Sequence, residues 1–389
     1  MTTTEHMVGD KHSHGAPSTR IPNATRAERF TSFDVDAFEI PGGREEDWRF
    51  TPMKRLRGLH TSAVATRAAR VGVTGRVPYE WVLRGDPRLG VAGTPGDRVA
   101  AQAWCSFDSA LLITFAQDTK FEPITVTVEG AGENQVSYGH IQLRVEQFAE
   151  AVVVLDYSGS GTHADNVEFV VADGAKLTVV AVHDWADDAV HLTAHHARLG
   201  RDATFRHTVV TLGGNLVRVA PTVTFTEKGG DAELTGLYFA DAGQHLEHRL
   251  FVDHAVPHCR SNVAYKGALQ GDGAHTVWIG DVLIRAAAEG TDTYELNRNL
   301  VLTDGARADS VPNLEIETGE IAGAGHASAT GRFDDEQLFY LQARGIPADQ
   351  ARRLVVRGFF HEVLAKIAVP AVRERLEAAI EAELAVVGA

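Results

Sequence analysis

The sequence predicts a mainly β protein whose middle is a stack of short coils, preceded by a mixed region and followed by helices. Three observations carry this. Between Pro123 and Gly345 only Pro221, Pro257 and Pro312 interrupt the chain, as expected where most backbone N–H groups are committed to strand ladders. The same stretch reads as β-branched runs bounded by Gly, Asp and Asn, among them ITVTVEG, AVVVLDY, NVEFVVADG and KLTVVAV. Finally, a tight polar turn ending in alanine recurs before strand-like runs: DGA at 173–175, GRDA at 200–203, GGDA at 229–232, GDGA at 271–274 and DGA at 304–306. Ala175, Ala203, Ala232, Ala274 and Ala306 are separated by 28, 29, 42 and 32 residues, a period near thirty with an inserted loop in the long step. That is the spacing of a solenoid, here a β-helix. Each unit would hold two or three short strands, too few to bury an apolar face alone, so successive units must stack. An antiparallel sandwich spaces its strands similarly and stays open on pattern alone.

The elements follow in order. Residues 1–25, beginning MTTTEHMVGDKHSHGAPSTR, are polar and His-rich without the apolar stretch of a secretory leader, and are expected to be a disordered tail. Residues 26–120 are the least legible, with DVDAFEIPGGREEDWRF and the basic KRLRGL suggesting a mixed region of short helices, strands and loops. Residues 121–333 carry the coils. Asp334 or Asp335 suits the cap of a helix bearing Leu338, Phe339 and Leu341 that Gly345 ends. Pro347 fits a first helical turn, followed by an apolar stripe of Ala351, Leu354, Val355, Phe359, Val363 and Ile367. After Pro370, Val372, Leu376 and Ile380 follow at steps of four, so residues 334–389 are predicted to form a three-helix domain.

Composition narrows the function. With 44% hydrophobic and 23% charged residues among 389, the chain is predicted to fold around a sizeable core. Its net charge of −15 argues against a nucleic-acid binder, which needs a basic surface to displace counterions. Apolar runs such as AVVVL at 151–155 fall far short of a membrane span. Cys105 and Cys259 make no disulfide framework and no CxxC pair, so a reducing cytoplasm is expected. There is no GxxxxGK[ST], no GxSxG and no GxGxxG between a strand and a helix, and HEVLA at 361–365 lacks the second His of HExxH. A carboxylate-pair hydrolase leaves no local signature, and nothing here points to one.

Histidine is abundant, 18 in all. HLEHRLFVDHAVPHC offers His245, His248, His254, His258 and Cys259, residue types able to bind a metal. Ordinary hydrogen-bonded histidines are the stronger reading there and at His191, His195 and His196, because ligand sets are defined by convergence, not by count. His326 in IAGAGHASATGRF is the better candidate, since its small neighbours allow a partner or ligand to approach closely.

Residues 297–346, NRNLVLTDGARADSVPNLEIETGEIAGAGHASATGRFDDEQLFYLQARGI, resemble the C-terminal signature of the SufB/SufD family of iron–sulfur cluster assembly proteins. DHAVPHCRSNVAYKG at 253–267 and EEDWRFTP at 45–52 resemble two further blocks of that family. Modest length and the Gly-His-Ala-Ser-Ala-Thr segment are closer to its SufD branch than to SufB. The resemblance implies a right-handed parallel β-helix core and a non-catalytic scaffold subunit. It implies pairing with a SufB paralogue, with self-association when SufB is absent, and recruitment of the SufC ATPase, which alone binds ATP. It further implies a transient nascent iron–sulfur cluster shared with SufB, with His326 as candidate ligand, and leaves room for reduced FAD in the complex. Cys259, His254 and His258 are weaker candidates. The edge around PNLEIETGEI, with Asn313, Leu314, Glu315 and Ile316, is the expected SufB pairing surface, because an unpaired strand templates another chain. Phe359, Phe360, Arg352, Arg353 and Arg357 are expected at the SufC docking surface.

Two departures from the family pattern stand out. Ala324-Gly325-His326 replaces the Cys-Ser-His of many SufD proteins, so any thiolate there must come from SufB. Glu295 stands where the resemblance leads one to expect Gln. Two rivals remain: a self-contained metal or cluster carrier using DHAVPHC, and a polysaccharide-active β-helix enzyme, which the acidic charge and missing leader oppose.

Overall fold

A computed structural model of the chain describes residues 26–333 and 335–386. The expected tail over 1–25 and the cap at Asp334 lie outside these residues. Two nine-stranded sheets face each other. The first contains Arg70–Thr74, Ile124–Glu129, Glu150–Gly159, Lys176–Trp185, Thr204–Thr211, Asp231–Ala240, Arg260–Leu269, Asp292–Val301 and Gly323–Arg332. The second contains Tyr79–Val82, Ala110–Phe115, Val136–Val145, Thr162–Val171, Val190–Leu199, Leu216–Phe225, His245–His254, His275–Ile284 and Arg307–Ile316. From Ala110 onward the chain alternates between the sheets and every strand pairs in parallel with the strand one coil away. The architecture is therefore a parallel β-solenoid, and the antiparallel sandwich is excluded.

The stacked rungs 150, 176, 204, 231, 260, 292 and 323 confirm a period near thirty. The 42-residue step has a different cause from the inserted loop expected. Ala175, Ala203 and Ala232 stand where the chain enters the first sheet, whereas Ala274 and Ala306 stand where it enters the second, so the turn motif changes corner. Each coil has two strands, mostly ten residues long. Pro221 lies inside one of them, and the ladder to the next strand is interrupted at Ala220 and Pro221, as a residue without an N–H requires.

Three layers of packing cover this frame. Between the sheets lies an apolar core that includes Phe115, Phe169, Phe205, Phe225 and Trp278. Helix α1 (Arg98–Ser106), capped by Asp97 accepting from the Ala100 N–H at 2.9 Å, packs on the outer face of the second sheet with Trp48, Leu56 and Leu59. EEDWRFTP is the clamp of that layer. Arg218 lies 4.1 Å above the Trp48 ring and bonds Asp97 and Glu247, Arg249 bonds Asp47, and Thr51 donates to Glu247 at 2.7 Å. Burial raises the Glu247 pKa, but the His245 hydrogen bond and the Arg218 and Arg249 charges outweigh it and hold the carboxylate well below its usual range.

On the first sheet's outer face lie α3 (Ala348–Leu364) and α4 (Pro370–Val386), and α2 (Asp335–Ala343) packs against α3. Val356, Phe360, Val363, Leu364 and Ile367 pack with Leu376, Ile380 and Leu384 against Val180, Val182, Val210, Leu237 and Phe239. The buried stripe of α3 thus lies to one side of the expected one. Leu354 is exposed and Val355 and Phe359 are half-buried, because the face meeting the sheet is centred on Val356 and Phe360. Arg375 locks α4 down through a two-pronged bond to Asp156, 2.8 Å on each arm. No helix among the described residues is long and apolar enough to cross a membrane.

Candidate functional site

Side chains stack in columns along a parallel solenoid, so each interior position can be followed from coil to coil. One column of the first sheet reads Ile124, Val153, Val179, His207, Leu234, Val263, Glu295, His326. The next reads Val126, Leu155, Ala181, Val209, Gly236, Tyr265, Asn297, Ser328, and a third ends Tyr238, Gly267, Asn299, Thr330. In all three the last two rungs are polar; the first two columns are apolar below them apart from His207, whereas the third already carries Tyr157, His183 and Thr211 midway.

A hydrogen-bonded network fills these rungs. Tyr238 Oη donates to Asn299 Oδ1 at 2.6 Å, Asn299 Nδ2 to Asn297 Oδ1 at 2.8 Å, Ser310 Oγ to Asn297 Oδ1 at 2.8 Å, and Ser328 Oγ to Ser310 Oγ at 2.7 Å. Gly236 and Gly267 make room for the rings above and below them, since a Cβ at either would overlap Tyr265 or Tyr238.

His326 belongs to the final strand, Gly323–Arg332, at the open edge of the first sheet. Its side chain is 42% exposed, and its Nδ1 lies 3.7 Å from Glu295 Oε1, one rung below. The Glu295 side chain is 1% exposed and neither of its carboxyl oxygens has a hydrogen-bond partner. Burial, helped by the Asp281 charge, pushes its pKa up to about 8. Asn313, Leu314, Glu315 and Ile316 lie in Arg307–Ile316, the open edge of the second sheet. Asn313 donates to Asp281 at 2.7 Å, Leu314 packs on the core, and Ile316 is exposed. The structure thus brings His326 and the predicted pairing strand to the same end of the solenoid.

DHAVPHC does not make a metal centre. His254 is buried, stacked on Phe225 and bonded to Ser261 at 2.8 Å. His258 takes a left-handed corner conformation at φ 58°. Cys259 is buried, its pKa raised by burial, and its thiol faces the Glu227 and Pro257 carbonyls. Among the described residues the one set of three or more potential ligands that converges is His163, Asp165 and His191, which sequence reasoning missed because parity alone does not show which strands stack. This set fits a buried network better than an ion. Trp185 Nε1–H donates to His191 Nδ1 at 3.0 Å, so neutral His191 carries its proton on Nε2 and donates it to Asp165 at 3.1 Å. A metal would need that same Nε2 lone pair. Tyr157 Oη adds a second bond to Asp165, at 2.9 Å from Oδ2. His195 is a buried core histidine, 3.1 Å from His207, whereas His196 is buried on the outer face of the second sheet against Gly93.

In the helical layer, Phe360 is fully buried against the solenoid, a correction to its expected place on an exposed docking surface. Phe359 is half-buried, with Lys266 over its ring and bonded to its carbonyl at 3.0 Å. Arg352 lies over Phe333, Arg353 is half-buried, and Arg357 is exposed beside Glu381 at 3.3 Å. Between α3 and α4 an open groove of about 330 Å³ is lined by Leu354, Arg357, His361 and Glu377.

Comparison with known proteins places these features in a family. Residues 127–359 match the SufBD core domain of the SUF system for FeS cluster assembly. The chain is 68% identical over 369 residues to an iron-sulfur cluster assembly SufBD family protein of Mycobacterium tuberculosis, covering 92% of this chain and 93% of that one. A Mycobacterium leprae protein of the same description is 65% identical over 367 residues, covering 92% and 94%. A second such protein of Mycobacterium leprae is 26% identical over 216 residues, 56% of this chain and 25% of its own length. With its polar-ended solenoid and a family match over more than half its length, the chain belongs to the SufBD family of iron–sulfur cluster assembly proteins.

Proposed function

We propose that this chain is the SufD-type, non-catalytic scaffold subunit of a cytoplasmic cluster-assembly complex. Its open end pairs with a SufB-type paralogue, its C-terminal helices dock a SufC-type ATPase, and a nascent cluster, as cargo, is held at the seam. The observation that carries this is the pair of ten-residue edge strands, Arg307–Ile316 and Gly323–Arg332, with polar interior rungs between them. Unpaired edges template another chain, and a polar interior suits a partner that completes its hydrogen bonds better than it suits solvent-exposed core. Relatives in one organism support a paralogous pair, since Mycobacterium leprae carries a protein close to this chain and a more distant one of the same description.

At that seam His326 offers one imidazole, and the remaining ligands are thiolates of the partner, because Cys105 lies in α1 and Cys259, two rungs below the final strand, is buried with its thiol on the Glu227 and Pro257 carbonyls. Energy enters through the ATPase: nucleotide binding differs in affinity between two arrangements of the helices and so shifts the seam between them. Arg352, Arg353 and Arg357, with the half-buried Phe359, are the docking residues. Reduced FAD, where the complex uses it, supplies electrons from outside this chain's own residues.

Co-expression with both partners followed by size-exclusion chromatography tests the reading. Co-elution of three chains is expected, whereas a chain that remains alone, or that forms a stoichiometric cluster by itself, would contradict it. Without the paralogue, pairing of two copies through the same edges is expected.

A further inference from the structure

We infer that Glu295 is the positioning residue for His326: its carboxyl oxygen takes the imidazole Nδ1–H, and this turns Nε2, with its lone pair, toward the paralogue that closes the open end. The inference rests on the reading of His326 given above and names the residue that makes it work.

The geometry leaves Glu295 few alternatives. Its side chain points into the coil, with Val263 one rung below and His326 one rung above. Across the interior stands Gly280, and a Cβ there would collide with Glu295 Oε2 and the Trp278 ring, so the carboxyl fills the space that the missing side chain leaves. Both carboxyl oxygens are buried and neither accepts a hydrogen bond. Native structures pair the large majority of such atoms, and an exception calls for a cause. The His326 ring nitrogen at 3.7 Å is the one ion-pair partner that Glu295 has among the described residues, and a shift of less than about 1 Å makes it a hydrogen bond. That shift is easy because His326 belongs to an edge strand paired on one side only.

The chemistry is that of metal-binding imidazoles generally. Such a ring donates its second N–H to a carboxylate or carbonyl, which fixes the tautomer and aims the other nitrogen at the metal. Ionised or neutral, the Glu295 carboxyl keeps an acceptor oxygen, so the role does not depend on its charge.

The test compares Glu295→Gln, which keeps an acceptor, with Glu295→Met, which has similar length and none; Glu295→Leu replaces the methionine variant if that fails to fold. The tautomer of His326 is read by nitrogen NMR of ring-15N-histidine protein, with His326→Ala for assignment. Iron retention is read in the complex reconstituted with its paralogue. Expected is an Nδ1–H tautomer in the native chain and in Glu295→Gln, a shift toward Nε2–H in Glu295→Met, and at least about tenfold weaker iron retention in Glu295→Met alone. An unchanged His326 signal in Glu295→Met, or glutamine and methionine variants that behave alike, overturns the inference. If the tautomer moves as expected while His326→Ala keeps its iron, Glu295 positions the ring as inferred and the ligand reading of His326 is what fails.

Discussion

The two ends of the solenoid share a backbone plan and differ in how they stop. At the N-terminal end each sheet is closed by a short antiparallel strand, Arg70–Thr74 against Ile124–Glu129 and Tyr79–Val82 against Ala110–Phe115. The interior columns start there with Ile124, Val126 and Val128, all buried. At the C-terminal end both edge strands run the full ten residues in parallel register, and the columns finish on Glu295, Asn297 and Asn299 and then His326, Ser328 and Thr330. An antiparallel strand interrupts the stacking direction, whereas a parallel edge repeats what another coil would pair with. The contrast teaches that one end terminates its sheets while the other leaves two full-length strand edges open, and it is this open end that the proposed function assigns to a second chain.

The largest expected effect breaks the apolar part of a column. Val153→Asn, which buries an unsatisfied amide between Ile124 and Val179, should cost about 2–5 kcal/mol and unfold the chain in urea well before Asn297→Ala does. Outside the columns, Phe360→Ala should cost a comparable 3–5 kcal/mol by opening a cavity between α3 and the sheet, again measured by urea denaturation.

Next comes pH, which reads the buried histidines. Burial holds His195, His248 and His254 at pKa values of about 3 and His196 at about 4, against 6.5 for the free side chain. Between the folded and unfolded values the unfolded chain binds more protons, so the stability present above pH 6.5 is lost as pH falls. The slope should be on the order of 1 kcal/mol per pH unit for each histidine. Glu295 works in the opposite direction: its folded pKa of about 8 lies above the free value of 4.5, so stability is lost as pH rises through that window. Glu295→Gln should therefore raise the melting temperature of the isolated chain at pH 8.

A smaller effect sharpens the comparison without unfolding anything. Ile316→Arg at the open edge should abolish pairing with the paralogue on size-exclusion chromatography and leave the melting temperature within about 2 °C, because Ile316 is already exposed. The matching change at the closed end, Tyr79→Arg, should leave pairing intact. Smallest of all, Arg357→Ala should alter stability by less than about 0.5 kcal/mol, since its bond to Glu381 is solvent-exposed, while weakening ATPase recruitment in a pull-down.

Much of this was legible in the sequence, for physical reasons that differ along the chain. The solenoid period survives in the polar turns because a tight corner demands Gly and Asp in whichever coil it falls. Which corner a turn occupies is not local information, so from sequence the 42-residue step reads as an insertion. In TYELNRN the apolar Leu296 suggests the inward face, yet stacking turns Glu295, Asn297 and Asn299 inward instead. Only the neighbouring rungs reveal that inversion, and for the same reason the His163–Asp165–His191 network could not be read from spacing. On α3 two apolar stripes, one through Phe359 and one through Phe360, differ by a single residue, and only the packing against Val180, Val210, Leu237 and Phe239 distinguishes them.

Amide hydrogen exchange on the chain alone and in complex with its paralogue tests the asymmetry most directly. Strong new protection confined to 307–332, with 70–82 unchanged, is the predicted result. Protection at 70–82 instead, or none at either end of a complex that demonstrably forms, would contradict it.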